Sequence, residues 1–130
     1  MEERKGEFDM GRTLVVRAKD IEGERRLPPR TSKLLLCEGR VGIKGMSMGF
    51  NITEVGSMIP EHVHETEEEA MFLISGRAKF VVGGEEFDLE PETAFFAPVG
   101  VEHKVINIGD EPLKIVWVYS PPLPQHKSVK

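Results

Sequence analysis

Residues Gly56–Gly76 read GSMIPEHVHETEEEAMFLISG, and two features of that stretch set the fold class. His62 and His64 are two residues apart, so on an extended strand both imidazoles project from the same face. In the segment EAMFLIS a period of two puts Glu69, Met71 and Leu73 on one face and Ala70, Phe72 and Ile74 on the other. The acidic run Glu65–Glu69 between them reads as a loop or a strand entrance, not as a helix.

The same short period continues outward in both directions. Apolar or alternating runs occur at Leu14–Val16, Lys33–Cys37, Met46–Ile52, Ala78–Val82, Phe87–Leu89, Ala94–Ala97, Val105–Ile108 and Leu113–Tyr119. Turn residues separate them, and no segment holds a 3.6-residue period for the ~10 residues of an average helix. Many short strands at this spacing predict an all-β sandwich or barrel. Gly83-Gly84 between KFVV and EEFDL predicts a two-residue hairpin turn, since both positions accept a positive φ. Along Met46–Asn51 the apolar Met46, Met48 and Phe50 alternate with Ser47, Gly49 and Asn51, and one set faces apolar packing. Three organisational segments follow: a loose N-terminal segment 1–12, a single β domain 13–120, and a Pro-rich tail 121–130. Pro121, Pro122 and Pro124 prevent that tail from continuing a central strand, and its His126 is expected to be a solvent-exposed spectator.

Composition excludes several function classes. The chain has 130 residues, 39% of them hydrophobic, enough for one core and not for two domains. Its net charge of −5 disfavours a nucleic-acid partner, which demands phosphate-neutralising cations. No apolar run approaches the ~18 residues that span a bilayer, and Met1–Arg12 lacks the apolar stretch of a secretory signal. With one cysteine, Cys37, neither an internal disulfide nor a multi-cysteine zinc site can form. A cytoplasmic protein with no membrane partner is expected. Charge is uneven: residues 1–45 hold 11 basic and 8 acidic side chains, a balance of +3. The basic group Arg25, Arg26 and Arg30 around Pro28-Pro29 reads as a solvated loop.

A second stretch, APVGVEHKVINIG at Ala97–Gly109, carries His103 at the start of another apolar alternation. Neutral imidazole is a common ligand for transition metals, and a carboxylate suits harder ions such as Mn or Fe. Together the two stretches resemble the two motifs of the cupin superfamily. The first motif is a Gly, five residues, His-x-His, three or four residues, Glu, six residues and Gly, matched by Gly56, His62, His64, Glu69 and Gly76. The second is a Gly, five residues, Pro-x-Gly, two residues, His, three residues and Asn. Pro98, Gly100, His103 and Asn107 match it in register, while Glu92 stands in place of the leading Gly. The 15-residue spacer Arg77–Pro91 is the short kind found in small single-domain cupins.

The resemblance implies a small double-stranded β-helix, or jelly-roll barrel, of two antiparallel sheets. It implies that His62, His64, Glu69 and His103 ligate one divalent ion (Mn, Fe, Zn, Ni or Co), with Glu68 as the rival to Glu69. Glu65, Glu67 and Glu68 are then a solvated rim, and Asn107 a hydrogen-bond anchor. Trp117 and Tyr119 share a strand face and read as core that could edge the pocket, with Met71 and Leu73 as its apolar wall. A metal-dependent enzyme acting on a small oxygen-rich, anionic carboxylate, hydroxy-acid or sugar-like ligand is expected. The reaction class stays open among decarboxylase, dioxygenase, isomerase, lyase and cyclase, and a non-catalytic binding or sensing protein is the alternative. No catalytic acid or base can be assigned, because neither Tyr119 nor Glu102 has a demonstrated place in the pocket. A homodimer formed through Thr13–Cys37 is expected, since small barrels leave sheet edges to cover.

Overall fold

The structure, a computed structural model, describes residues 13–130; the segment 1–12 lies outside the described residues. Ten strands follow in order: β1 (Glu24–Arg26), β2 (Arg30–Leu36), β3 (Ser47–Thr53), β4 (Met58–His62), β5 (Glu68–Ser75), β6 (Ala78–Val82), β7 (Glu85–Leu89), β8 (Thr93–Ala97), β9 (His103–Asn107) and β10 (Leu113–Ser120). They form a six-stranded sheet in the order β1-β2-β3-β10-β5-β8 and a four-stranded sheet in the order β4-β9-β6-β7. The strand pairings are antiparallel. The two inner faces enclose a core that includes Leu73, Phe80, Phe95, Val105, Leu113 and Ile115. This is the expected all-β jelly roll.

Period-two burial is cleanest on β5, where Glu69, Met71 and Leu73 are buried and Glu68, Ala70, Phe72 and Ile74 are exposed. The Gly83-Gly84 turn forms as the sequence predicts, with φ of 56° and 86°. Asn107 is the anchor it resembles. Its amide nitrogen lies within 3.2 Å of the Thr53, Glu54 and Glu111 carbonyls, and its Oδ1 accepts from Gly109 N–H at 2.9 Å.

Two expectations are corrected, for Leu14–Val16 and for the tail, and the orientation of β3, left open by the sequence, is settled. Leu14–Val16 is not a strand; Leu14 and Val15 are exposed irregular chain, and the first strand among the described residues starts at Glu24. On β3 the inward set is the small and polar one, Ser47, Gly49, Asn51 and Thr53. Gly49 decides this orientation, because a Cβ there would lie 2.0 Å from Cζ2 of the Trp117 indole. The tail 121–130 packs back on the barrel: Leu123 is buried in the core, and Pro124–Ser128 makes a 3-10 turn. At the sheet edge, β1 is three residues long, charged and exposed, features that blunt an edge against pairing. Exposed apolar side chains lie instead on the outer face of the larger sheet, at Phe72, Ile74 and Phe96.

Glu92, the departure from the family pattern, keeps the turn at φ +65°, in the left-handed region, with its N–H bonded to the Leu73 carbonyl at 2.7 Å. A side chain in that region costs about 1–2 kcal/mol, partly offset in a glycine variant by glycine's greater chain entropy. Glu92→Gly is therefore expected to raise unfolding stability by about 0.5–1 kcal/mol. A higher urea midpoint at unchanged slope checks this, and a lower midpoint contradicts it.

Candidate metal centre

Cross-strand register brings the candidate ligands together. His62 at the end of β4 pairs directly with His103 at the start of β9. Glu69 near the start of β5 lies between Tyr119 of β10 and the small, buried Ala97 of β8. His64 lies just beyond β4, in the β4–β5 connection, so only one of the two histidines is on a strand. Its ring nevertheless reaches the same space. One ligand atom from each of His62, His64, Glu69 and His103 lies within 4.8 Å of the others. Glu69 Oε1 is 3.1, 3.7 and 3.9 Å from Nε2 of His103, His64 and His62.

The hydrogen bonds around this cluster fix which nitrogen faces inward. Nδ1–H of His62 donates to the Pro60 carbonyl at 2.8 Å, and Nδ1–H of His103 donates to the Val101 carbonyl at 3.1 Å. Neutral rings so held turn their Nε2 lone pairs toward the carboxylate, a common way of orienting metal-ligating histidines. With neutral rings, acceptors face acceptors in a buried space, and a cation or a shared proton between them makes the arrangement favourable; His103 Nε2 lies within hydrogen-bonding distance of Glu69 Oε1, at 3.1 Å. The buried His64 Nε2 has no hydrogen-bond partner among the described residues. Three imidazole nitrogens and one carboxylate oxygen at this spacing could hold a divalent metal ion.

The cluster lies in a cavity of about 800 Å³, within the range of small-molecule sites. Trp117, Tyr119 and His126 give it an aromatic wall. Trp117 and His126 are stacked, with centroids 5.4 Å apart and planes at 24°, and Tyr119 meets His64 edge-on at 4.8 Å. Beside these on the same sheet, Arg26, Arg30, Ser32 and Asn51 present polar groups from β1, β2 and β3.

Residues 50–119 match the cupin domain family. This chain belongs to that family. The cupin is 32% identical over 118 residues to the polyketide synthase CurC of Streptomyces cyaneus, a match spanning 91% of this chain and 76% of that one. It is 28% identical over 116 residues to the L-ectoine synthase of Aliivibrio fischeri, spanning 85% and 88% of the two chains. Two other curated relatives are spanned over 64% of their length. Among solved structures, a protein of Thermotoga maritima described as a predicted oxalate decarboxylase superposes with a TM-score of 0.76 at 23% identity. That superposition covers 83% of this cupin and 99% of the other chain and speaks for the fold.

The cupin gathers all four sequence-predicted ligands and turns Glu68 out to solvent. Several other expectations are corrected. Glu67 is buried rather than part of a solvated rim, and Thr66 Oγ1 donates to its carboxylate at 2.7 Å. His126 is no spectator: besides stacking on Trp117, its Nδ1 lies 2.7 Å from Ser47 Oγ. Met71 lines the cavity, but Leu73 is wholly buried in the core. Trp117 and Tyr119 are core residues and cavity wall at once. Of the arginine group, Arg25 stays outside, bonded to Thr31 and Glu54, while Arg26 and Arg30 line the cavity. Glu102 is exposed, and the neighbouring Glu61 raises its pKa. The polar alternation Ser47-x-Gly49-x-Asn51 was the signal that could have exposed the inner face of β3. Nothing in the sequence marks the tail as a wall.

Charge within the site follows from burial and the three rings. Burial works to raise the Glu69 pKa, but His103 and His62 outweigh it and hold the carboxyl at about 2. Burial also lowers His62, yet the Glu69 carboxylate and the Pro60 carbonyl leave its pKa raised overall. His64 is lowered, chiefly by burial. Tyr119 is raised, first by burial and then by the Glu69 charge, so its hydroxyl keeps its proton. Glu69 thus contributes stability that is present above its ordinary value of 4.5 and lost as pH falls toward about 2. In metal-free protein, Glu69→Gln is expected to lower the His62 pKa, because burial then meets only the Pro60 carbonyl. Histidine NMR titration checks this; an unmoved His62 contradicts it.

Proposed function

We propose that this cupin binds one divalent metal ion through His62, His64, Glu69 and His103 and acts as a metal-dependent enzyme on a small anionic oxygen donor, a carboxylate or hydroxy-acid. The observation that carries the reading is the N₃O cluster within 4.8 Å in the wall of a cavity of about 800 Å³. A divalent ion held there supplies Lewis-acid polarisation of a coordinated oxygen and a lowered pKa for coordinated water. One carboxylate, Glu69, offsets only part of a dipositive charge, so the site keeps a net attraction for anions.

The chain's own residues would do the rest. Tyr119, protonated and beside Glu69 in the register of β10 and β5, would donate a hydrogen bond to a ligand at the cluster. The stacked Trp117 and His126 give a flat face against which a ligand can be held and water excluded. Kinship with the L-ectoine synthase of Aliivibrio fischeri supports an enzyme over a passive binder, and the substrate is argued from charge rather than from that relative.

Protein purified without chelator or affinity nickel is expected to carry about one metal ion per chain and to melt at a lower temperature once chelated, since binding favours only the native state. His103→Ala should weaken metal affinity by at least about a hundredfold, more than loss of an outer partner costs. Carboxylates and hydroxy-acids should then change the water-proton relaxation of the Mn-loaded protein. Unchanged metal affinity in His103→Ala, or a response to neutral sugars and not to acids, overturns the proposal.

A further inference from the structure

Three arginines come close together where β1 turns into β2, and their partners differ. Arg25 donates to Glu54 at 3.5 Å, and Arg26 is paired with Glu24 at 2.5 Å. Among the described residues Arg30 has only the Pro28 carbonyl, 3.1 Å from its Nη1, and no carboxylate there forms an ion pair with it. A guanidinium offers five donors in a planar fork that matches a carboxylate or phosphate. Half-buried with most of that fork uncommitted, Arg30 is the site on this wall with capacity for an anion.

Its direction follows from the strand. Arg30, Ser32 and Leu34 are alternate residues of β2 and all line the cavity. Arg30 pairs with Thr53 and Ser32 with Asn51, both inward-facing on β3. Thr53 Oγ1 donates to Asn51 Oδ1 at 2.5 Å, which commits the acceptor side of that amide and leaves its N–H₂ as the group that can donate. The part of the wall beside the aromatic stack, on β2 and β3, is therefore a row of donors, with Arg30 as its cation. Burial and the like charge of Arg26 both weaken Arg30's hold on its proton, a burden that a bound anion relieves. Arg30 and the four cluster residues line the same cavity. Apart from the buried Glu69 of the cluster, the acidic residues on the same cavity, Asp20, Glu22, Glu24 and Glu61, are all exposed, where water screens them.

We propose that Arg30 is a second anchor, taking an anionic group at the far end of a ligand whose near end lies at the His62–His64–Glu69–His103 cluster. The cavity thereby selects acids that carry two anionic groups. This rests on the reading of the cluster as a metal site for anionic ligands and names the ligand class more closely. Arg30 would discriminate because a matched acid lacking the second charge leaves the guanidinium unpaired.

The test uses the Mn-loaded full chain and pairs of acids of equal length: succinate with butyrate, and glutarate with valerate. Affinities are read from water-proton relaxation and from calorimetry, so no activity is needed. In at least one pair the diacid is expected to bind at least tenfold more tightly. Arg30→Gln should remove that preference while changing the monoacid's affinity less than twofold, Arg30→Lys should restore part of it, and Arg25→Gln, outside the cavity, should leave it intact. Equal affinities within both pairs for the wild-type protein overturn the proposal whatever the variants do. So does an Arg30→Gln that weakens both members equally. Monoacids that bind without any diacid preference overturn this inference alone; if no acid of either kind binds to the Mn-loaded protein, the underlying reading falls and this inference falls with it.

Discussion

A buried carboxylate facing three imidazoles is the constraint around which the rest of the barrel is arranged. Glu69 is ionised inside the protein, where an isolated carboxylate is costly, and two of the rings around it, His62 and His103, are turned inward by bonds from their far nitrogens to the Pro60 and Val101 carbonyls. Each part of that arrangement comes from a different sheet position. His62 and His103 belong to the smaller sheet and Glu69 to the larger, so the cluster can exist only when the two sheets have closed on each other. Site and fold are in this sense one structure, and a cation bound at the cluster would act as a clamp between the sheets.

From that centre the cavity becomes polarised. One wall is aromatic and depends on a backbone detail: Gly49 gives the Trp117 indole its room, and the indole gives His126 a surface to stack on. The chain's tail is thereby tied to the cavity, with Leu123 in the core and Ser47 bonded to the His126 ring. The neighbouring strands β1, β2 and β3 carry a polar and cationic stretch of the same sheet. An aromatic surface beside a set of donors is the combination by which a small cavity can orient a ligand.

The barrel and its metal-ligand candidates were legible because they rest on local rules. Period-two alternation on β5, the glycine pair at 83–84 and the spacing of His62, His64, Glu69 and His103 each constrain a few neighbouring residues, and neighbours are what a sequence displays. What failed to show depended on contacts between distant segments. Arg30 reads as loop charge until the β2–β3 register turns it inward. His126 reads as tail until Leu123 is seen to anchor the last turn. Glu67, in a run of acidic residues, gives no sign that it alone of Glu65, Glu67 and Glu68 is buried. The inward set of β3 could be guessed wrongly because packing against Trp117 favours the smallest side chain over the most apolar.

The most direct measurement of the central claim is X-ray absorption at the edge of the metal bound to protein purified without chelator. Three imidazoles, recognised by the multiple scattering of their rings, with the remaining ligands oxygen, are the predicted coordination shell. A shell made only of oxygen ligands, or one with fewer than two imidazoles, would contradict it.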